Sequence, residues 1–394
     1  MKKFSHFFVS IFAMVIRPLL AFGGCFIFVF SVAFVLPHSA QASYHFANFQ
    51  GKPPIHIYGS ASKKPVGMTP AEIKKIYNLP TSGSSGGKNQ AKNQNSDTIV
   101  LVGAYDDATI EADLADFDAQ FGLPACTTKN GCFTKHKMSS TEKSDSGWAL
   151  ETTLDVEWAH AIAPSAKILL VEATTPSGDN LLKAIDYAAS RADVAAISMS
   201  WGGAEFPEET TLDSHFVSKS GAIFFASSGD NGSGASWPAA SPNVVGVGGT
   251  TLSLSASGSF QNETAWSGSG GGVSAYEKEP VFQKNYSIPK AGGMRAIPDV
   301  AYDADPSTGF PIVRGGVWRT VGGTSAGAPQ WAAIAALGSG ASDANFYKDK
   351  SSALPSQFFY DIKSGTNGDC GYFCAARSHY DYVTGLGSPR TANF

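Results

Sequence analysis

Residues 321–337 have the sequence VGGTSAGAPQWAAIAAL, which predicts a tight turn followed by a helix. Gly322 and Gly323 permit a close backbone approach, Pro329 suits the first turn of a helix, and the alanine-rich run favours its continuation. Ser325 is therefore expected at a helix entrance, where free N–H groups and the positive end of the helix dipole stabilise an oxyanion. This position suits a nucleophile for acyl transfer, although a serine in such a turn can also simply cap a buried helix.

Around this stretch, apolar runs of strand length alternate with segments of helical spacing. Continuous apolar strands separated by helices favour an α/β fold with a mostly parallel sheet and helices on both faces. The predicted strands are 98–104, 167–173, 194–201, 222–226 and 244–248, and the predicted helices are 110–121, 181–190 and 212–220.

Two polar motifs follow predicted strands. They are Trp201-Gly202-Gly203 and Ser227-Ser228-Gly229-Asp230. Because ligands of such sheets bind beyond the carboxyl ends of the strands, we expect the functional site at this edge. Asp230 is either a functional acid there or a turn aspartate, for which the glycines beside it are typical.

A nucleophilic serine needs a proton acceptor, and the helix predicted over 147–160 offers two acids. At about 100° per residue, Glu151 and Asp155 are separated by about 400°, so both carboxylates share one helix face. His160 lies about 900° from Glu151, on the opposite side. Two acids on one face repel, so their pKa values split and one can hold a proton while the other is free. Apolar neighbours favour a buried acid–base pair over a solvated face.

These residues belong to a set of motifs that resembles the sedolisins, the serine-carboxyl endopeptidases with a subtilisin-like fold. The motifs are Glu151-x-x-Leu154-Asp155, Ser227-Ser228-Gly229-Asp230 and Gly323-Thr324-Ser325-Ala326-x-x-Pro329. The likeness runs from about Thr69 to the C-terminus and includes residues 298–300 and 383–387. No histidine lies in the His-Gly-Thr context of ordinary subtilisins, which fits a carboxylate base.

The resemblance implies that Ser325 is the nucleophile and Glu151 the general base. Asp155 would orient Glu151, and Asp230 would be the oxyanion-hole residue. A carboxylate cannot donate a hydrogen bond, so Asp230 must be protonated when it acts, and an unperturbed carboxyl titrates near pH ~4. We therefore expect a secreted endopeptidase, active in acid, that cleaves protein or peptide substrates through an acyl-enzyme.

The resemblance also implies one bound Ca²⁺ near the C-terminus. The matching ligands are the carboxylates of Asp361 and Asp381 and the main-chain carbonyls of Ile362, Arg377 and His379, all hard oxygen donors. The family often has glycine where Arg377 and His379 stand, so the backbone angles of this loop bear on the site. A loop closed by a disulfide, without metal, is the alternative.

The first 42 residues are typical of a secretory signal peptide, with a basic start, an apolar run at 19–36 and the cleavage pattern Ala40-Gln41-Ala42. An uncleaved membrane anchor is the alternative. Residues 43–95 form a short N-terminal segment in which 43–67 is irregular and 81–96 is a polar linker. Thr69-Pro70-Ala71-Glu72 predicts a capping box that opens a short helix to Tyr77.

This N-terminal segment bears on activation. Sedolisins usually carry a large folded prosegment, and 43–95 is too short for one. Residues 96–394 then form the catalytic domain with its C-terminal calcium site. We expect no zymogen step of the usual kind, or inhibition in trans.

Four cysteines follow the predicted signal, in the close pairs Cys126 with Cys132 and Cys370 with Cys374. This spacing suggests two local disulfides and an oxidising compartment, and no finger-like spacing of His or further Cys favours zinc. The formal net charge of −4 argues against nucleic-acid binding. We expect a secreted monomer, extracellular or periplasmic, without membrane contact once the signal is removed.

Two other functions stay open. Gly323-x-Ser325-x-Gly327 also fits the nucleophile elbow of lipases and esterases, with Asp361 and His379 as triad partners. That fold needs more strand–helix units than follow the serine, and it leaves the acids of the 147–160 helix unused. The second is a secreted binding protein on this scaffold that has lost catalysis, which the presence of all four family catalytic residues disfavours.

Overall fold

The structure is a computed structural model that describes residues 46–81, 97–140, 143–255, 259–338, 340–348 and 355–394. The described residues all belong to one compact unit of the chain. The predicted signal peptide and all but the first residue of the predicted 81–96 linker lie outside the described residues. In the part of the chain that is described, no helix has the length and apolar character needed to cross a membrane.

This unit is built from short strands, eight described α-helices and several short 3₁₀ helices. The strands are β1 (His56–Ser62), β2 (Thr98–Ala104), β3 (Phe133–Lys137), β4 (Lys167–Ala173), β5 (Val194–Met199), β6 (Gly203–Ala204), β7 (Ile223–Ser227), β8 (Ser236–Trp237), β9 (Val244–Leu254), β10 (Phe260–Ala265), β11 (Gly272–Lys278), β12 (Met294–Ile297), β13 (Val300–Asp303), β14 (Phe310–Arg314), β15 (Val317–Gly322), β16 (Phe359–Tyr360) and β17 (Ser388–Pro389). The helices are α1 (Pro70–Ile76), α2 (Ile110–Phe121), α3 (Ser146–Ile162), α4 (Gly178–Ala189), α5 (Val281–Tyr286), α6 (Gly327–Ala336), α7 (Asp343–Phe346) and α8 (Pro355–Phe358).

The main sheet has eight strands in the order β10-β9-β7-β5-β2-β4-β3, and β13 pairs with β9 off this path. The pairs within it are parallel, except that β10 runs antiparallel to β9. The central strand β2 is buried along its whole length, which explains its continuous apolar sequence. The predicted α/β fold with a mostly parallel sheet is confirmed.

Alternate residues of β2 enter two separate apolar cores, one on each face of the sheet. Ile99 and Leu101 pack in the core that also contains side chains of α2, α3 and α6. Val100 and Val102 pack in the core that contains side chains of α4. This alternation follows from the two-residue period of a strand, and it places α3 and α6 together on one face.

Several predicted elements match the structure. The segments 98–104 and 110–121 coincide with β2 and α2, and Thr69 forms the predicted capping box at the start of α1. Both predicted disulfides form, Cys126 with Cys132 and Cys370 with Cys374. His160 lies near the first pair, but its two sulfurs are bonded to each other and so offer no thiolate to zinc.

Two segments differ from the sequence prediction. The helix predicted over 212–220 is wrong, because the region forms two short 3₁₀ helices, Glu209–Thr211 and Asp213–Phe216. The Ser218 hydroxyl accepts from the main-chain N–H of Ser220 and so competes with a continuing helix. The irregular structure predicted for 43–67 is also wrong in part, because β1 pairs antiparallel with β15. Six of its seven residues are exposed, so no apolar alternation marks this strand.

Candidate active site

The two predicted acids lie on α3, which begins where Asp145 accepts hydrogen bonds from the main-chain N–H groups of Gly147 and Trp148. Glu151 is 2% exposed and Asp155 is 3% exposed. Being four residues apart, they stack one helical turn from each other on a buried face. The alternative of a solvated helix face is therefore wrong.

Ser325 lies in the predicted turn between β15 and α6. The chain turns at Gly323, whose φ is +126°, and continues through a 3₁₀ helix at Thr324–Ala326 into α6. A Cβ at Gly323 would lie 2.1 Å from the main-chain oxygen of Pro54 and 2.5 Å from Oδ2 of Asp230, so only glycine fits. The Ser325 side chain is buried, and its Oγ donates a 2.6 Å hydrogen bond to the Pro54 oxygen.

Glu151 is held near both Ser325 and Asp155. Among the described residues, neither of its carboxylate oxygens makes a hydrogen bond of good geometry. Burial raises the pKa of Glu151 well above its usual range, repulsion from Asp155 adds to this, and the Ser325 hydroxyl opposes it. Burial likewise raises the pKa of Asp155. Two such carboxyls retain a shared proton where ordinary carboxyls are both ionised.

Ser200 is a site residue that the sequence analysis did not identify. Its Oγ donates a 2.6 Å hydrogen bond to Oδ1 of Asp155, and it also lies 3.2 Å from the main-chain oxygen of Ser325. The only signal in the sequence is its place, directly after β5 and before the Trp201-Gly202-Gly203 motif.

Asp230 follows β7 and lies beside the nucleophile turn. Its Oδ1 accepts 2.8 Å hydrogen bonds from both the main-chain N–H and the hydroxyl of Thr324, the neighbour of Ser325. Its Oδ2 lies 3.1 Å from Nε2 of His56. Burial raises the pKa of Asp230, against the hydrogen bonds from His56 and Thr324. Asp230 therefore lies at the candidate site, next to the turn that carries Ser325.

The structure thus brings all four predicted catalytic residues together at the carboxyl ends of the sheet strands, and it adds Pro54, His56 and Ser200. His160, the histidine of the same helix, lies away from this site. His160 contacts the main-chain oxygen of Pro124 and the Asp118 carboxyl. No described imidazole is hydrogen-bonded to Ser325 Oγ, which leaves the acids as the candidate base.

The predicted calcium ligands also lie together. Oδ1 of Asp361 accepts from the main-chain N–H of His379, and Oδ2 of Asp381 accepts from that of Arg377. Within the described residues, the main-chain oxygens of Ile362, Arg377 and His379 accept no hydrogen bond. His379 has φ +66°, so it adopts the backbone conformation that glycine favours. Two carboxylates and three free carbonyls fit the chemistry of a Ca²⁺ site.

A model of the subtilase family matches residues 129–348, more than half of the sequence. The chain belongs to the subtilase family. This subtilase is 29% identical to sedolisin from Pseudomonas sp. (strain 101) over 367 residues, covering 82% of this chain and 60% of that protein. It is 32% identical to kumamolisin from Bacillus sp. (strain MN-32) over 373 residues, covering 84% of this chain and 63% of that protein.

One solved structure is similar over nearly its whole length. It is Pseudomonas sedolisin, a serine-carboxyl proteinase complexed with two molecules of pseudo-iodotyrostatin, with a TM-score of 0.70 and 29% identity, covering 84% of this subtilase and 96% of that chain. The resemblance to sedolisins and the subtilisin-like fold are confirmed. The chain spans less than two thirds of the length of the two curated relatives.

The structure does not support the esterase alternative. That alternative needs a contact between the His379 imidazole and the Asp361 carboxylate. The contact that is present is made by the main-chain N–H of His379. The subtilase fold also differs from the fold that the nucleophile elbow requires.

Proposed function

We propose that this subtilase is a serine-carboxyl endopeptidase that hydrolyses peptide bonds in proteins or peptides. The observation that carries the proposal is the buried acid pair of Glu151 and Asp155, one helical turn apart, acting on Ser325. The similarity to a protein described as a serine-carboxyl proteinase supports the same chemistry here. A buried pair of acids whose pKa values are raised by burial, placed beside a serine hydroxyl, is an arrangement that marks functional sites.

In the proposed reaction, ionised Glu151 takes the proton from Ser325 Oγ as this oxygen attacks the carbonyl carbon of the scissile bond. The tetrahedral intermediate collapses as Glu151 returns the proton to the leaving amine, and an ester to Ser325 forms. Glu151 then deprotonates a water molecule that attacks this ester, and it returns the proton to Ser325 Oγ as the ester C–O bond breaks and the second product leaves as a carboxylic acid. Asp155 shares a proton with Glu151 and keeps it oriented.

Asp230 supplies the hydrogen bond to the oxyanion in this proposal. Its Oδ1 already accepts two hydrogen bonds from Thr324, so Oδ2 is the atom that carries the donor proton. An ionised carboxylate cannot donate, which restricts the reaction to conditions where Asp230 is protonated. Since burial raises the pKa of Asp230, that range extends above the usual value of ~4.

We further propose that one Ca²⁺ is held by the carboxylates of Asp361 and Asp381 and by the carbonyls of Ile362, Arg377 and His379. This ion would tie together two loops near the C-terminus and contribute no group to the reaction. We also propose that the protein is secreted and acts as a monomer. The two disulfides support an oxidising compartment.

Hydrolysis of a denatured protein at pH values from about 3 to 7 tests the peptidase proposal. We expect activity in acid that is lost in both Ser325→Ala and Glu151→Gln. Glu157→Gln is the matched control, because Glu157 is a buried acid on the same helix that accepts from the main-chain N–H of Val313, away from the nucleophile. Full activity of Glu151→Gln would refute the assignment of the base.

A further inference from the structure

Asn367 is a buried residue that contacts the loop of residues 228–234, the Asp230 loop. It is 3% exposed, and its main-chain oxygen accepts a 3.0 Å hydrogen bond from the main-chain N–H of Ser233. A Cβ at Gly232 would lie 2.5 Å from the same oxygen, and Gly232 has φ +75°. The Asp230 loop can therefore approach Asn367 this closely only because glycine stands at position 232.

The side chain of Asn367 binds a second segment, the glycine-rich run of residues 267–272. Its Nδ2 donates a 2.7 Å hydrogen bond to the main-chain oxygen of Ser269. Ser269 is fully buried, and its hydroxyl donates a 2.8 Å hydrogen bond to the main-chain oxygen of Val383. The same hydroxyl accepts a 2.8 Å hydrogen bond from the main-chain N–H of Gly249. Asn367 is therefore attached to a residue that is itself held on two sides.

The glycine-rich run in turn pairs with the Asp230 loop through main-chain hydrogen bonds. The N–H of Gly270 donates a 2.7 Å hydrogen bond to the oxygen of Gly229. Gly234 and Gly271 exchange two hydrogen bonds of 2.7 and 3.0 Å. The residues on both sides of Asp230 are therefore bound to the run that Asn367 anchors.

The disulfide between Cys370 and Cys374 closes the turn that presents Asn367. The main-chain N–H of Asn367 donates a 3.0 Å hydrogen bond to the main-chain oxygen of Cys374. Next to this contact, Thr366 forms an antiparallel bridge with Ala375. The disulfide thus returns the chain to the point where it holds the backbone of Asn367.

The disulfide also packs beside the Asp230 loop. A Cβ at Gly368 would lie 3.0 Å from Sγ of Cys374 and 3.2 Å from Oγ of Ser233. Both atoms are therefore close to the same point. Cys374 is 1% exposed, so this packing is sheltered from solvent.

Asp230 must keep Oδ2 where the oxyanion forms, so a displacement of its loop would lower the rate. At one end of the loop, Oδ1 of Asp230 accepts from the N–H of Thr324, and the N–H of Gly229 donates a 3.1 Å hydrogen bond to the Thr324 hydroxyl. At the other end, Ser233 is bound to Asn367. The two ends of the loop are thus held by different parts of the chain.

We propose that Asn367 is a positioning residue for Asp230 and that the Cys370–Cys374 disulfide holds Asn367 in place. The main-chain carbonyl of Asn367 binds the Asp230 loop, and its side-chain amide binds the glycine-rich run beside that loop. Catalysis would therefore depend on a disulfide that contributes no group to the reaction. This proposal rests on the proposed peptidase function.

Asn367→Ala tests the positioning role, because it removes the hydrogen bond to Ser269 and keeps the main-chain groups. We expect kcat on a protein substrate to fall about threefold to tenfold with little change in KM, as expected from losing one internal hydrogen bond that acts on the transition state. Asn130→Ala is the matched control. Asn130 lies in the other disulfide loop, and its Nδ2 donates a 2.8 Å hydrogen bond to the main-chain oxygen of Ala125. Equal kcat in the two variants would overturn the proposal.

A double-mutant cycle tests whether Asn367 acts through Asp230. In chains that carry Asp230→Ala, the further change Asn367→Ala should leave kcat nearly the same, because no donor remains to be positioned. A general loss of stability would instead lower kcat by the same factor in both backgrounds. That result would overturn the positioning role.

The double substitution Cys370→Ser with Cys374→Ser tests the disulfide. Its control is Cys126→Ser with Cys132→Ser, since that pair lies beside His160. We expect the first double variant to lower kcat and the control to keep it.

Hydrogen exchange at the Ser233 amide provides a measurement that needs no catalysis. It should be faster in Asn367→Ala and in the variant without the Cys370–Cys374 disulfide than in their controls. Unchanged exchange in both would overturn the proposal. Faster exchange in a protein whose unchanged form hydrolyses no protein would refute the peptidase function, while the hold of Asn367 on the Asp230 loop would stand.

Discussion

The hydroxyl of Ser200 donates a 2.6 Å hydrogen bond to Oδ1 of Asp155 and lies 3.2 Å from the main-chain oxygen of Ser325. Ser200 is 1% exposed, so no bulk water competes for these contacts. One small side chain therefore links the acid pair on α3 to the turn that carries Ser325, the proposed nucleophile. Its hydrogen bond also favours the ionised form of Asp155, against the effect of burial.

Ser200→Ala is expected to lower kcat with little change in KM, because Ser200 positions Asp155 and touches no substrate. Loss of a hydrogen bond to a charged group costs about 1.5–3 kcal/mol, or about tenfold to a hundredfold in rate. Steady-state kinetics on a protein substrate measure both constants. Ser198→Ala is the matched control, because the buried Ser198 hydroxyl has no hydrogen-bond partner among the described residues. Equal kcat in the two variants would refute the linking role.

Asp230→Asn is expected to extend activity toward neutral pH. An asparagine amide donates a hydrogen bond without needing a proton from solution, and its oxygen can replace Oδ1 as the acceptor from Thr324. The pH–rate profile should therefore lose the part of its decline that reflects ionisation of Asp230, while the limb set by Glu151 and Asp155 stays.

Asp230→Ala is the companion variant and should lower kcat by about 10²–10³-fold at pH values where Asp230 is protonated, as expected for a lost oxyanion donor. If the Asn and Ala variants were equally impaired across the pH range, Asp230 would not be the donor. An unchanged profile in Asp230→Asn would instead assign the loss of activity toward neutral pH to the ionisation of another group.

Much of this site could be predicted from local sequence because its geometry is local. Glu151 and Asp155 share a face as soon as 147–160 is helical, and Ser325 lies at a helix entrance as soon as its glycine turn is recognised. The strand β2 could be placed correctly because both of its faces are buried and its sequence contains no polar residue after Thr98.

The contacts of Pro54 and His56 could not be predicted, because they join distant parts of the chain. Ser325 and Pro54 are 271 residues apart, and no periodicity encodes such a pairing. The exposed strand β1 lacks the apolar alternation by which strands are recognised. Ser200 was overlooked because a single serine at a strand end is common and gains meaning only opposite Asp155.

The unfolding free energy is expected to fall as pH rises from about 4 to about 8. Burial raises the pKa of Asp118 to about 7, that of Glu172 to about 7 and that of Glu277 to about 8. Between the unfolded value of ~4 and these values the folded state binds more protons than the unfolded state, so acid stabilises it. Urea unfolding at pH 4.5 and 8 would measure the difference.

The buried imidazole of His160 has the opposite effect on the pH dependence of the unfolding free energy. Burial lowers its pKa, so its contribution to stability is lost as pH falls below the unfolded value of ~6.5. We expect the several buried acids to outweigh this one group. Glu172→Gln should reduce the fall in unfolding free energy between pH 4.5 and 8. A urea midpoint that rises with pH would contradict the expected effect of these buried acids.

Removal of the proposed calcium ion is expected to lower the melting temperature without changing the pH dependence of kcat. An ion at one hundred times its Kd stabilises the folded state by about 2.7 kcal/mol, and chelation by EDTA withdraws this contribution. Asp361→Ala should abolish the difference in melting temperature between calcium and EDTA, since Asp361 holds the His379 loop. Asp369→Ala is the control, because Asp369 is an exposed acid of the same region outside the proposed ligand set. An equal effect of EDTA on the melting temperatures of both variants would refute a calcium site in these loops. The absence of any EDTA effect on the unchanged protein would refute it as well.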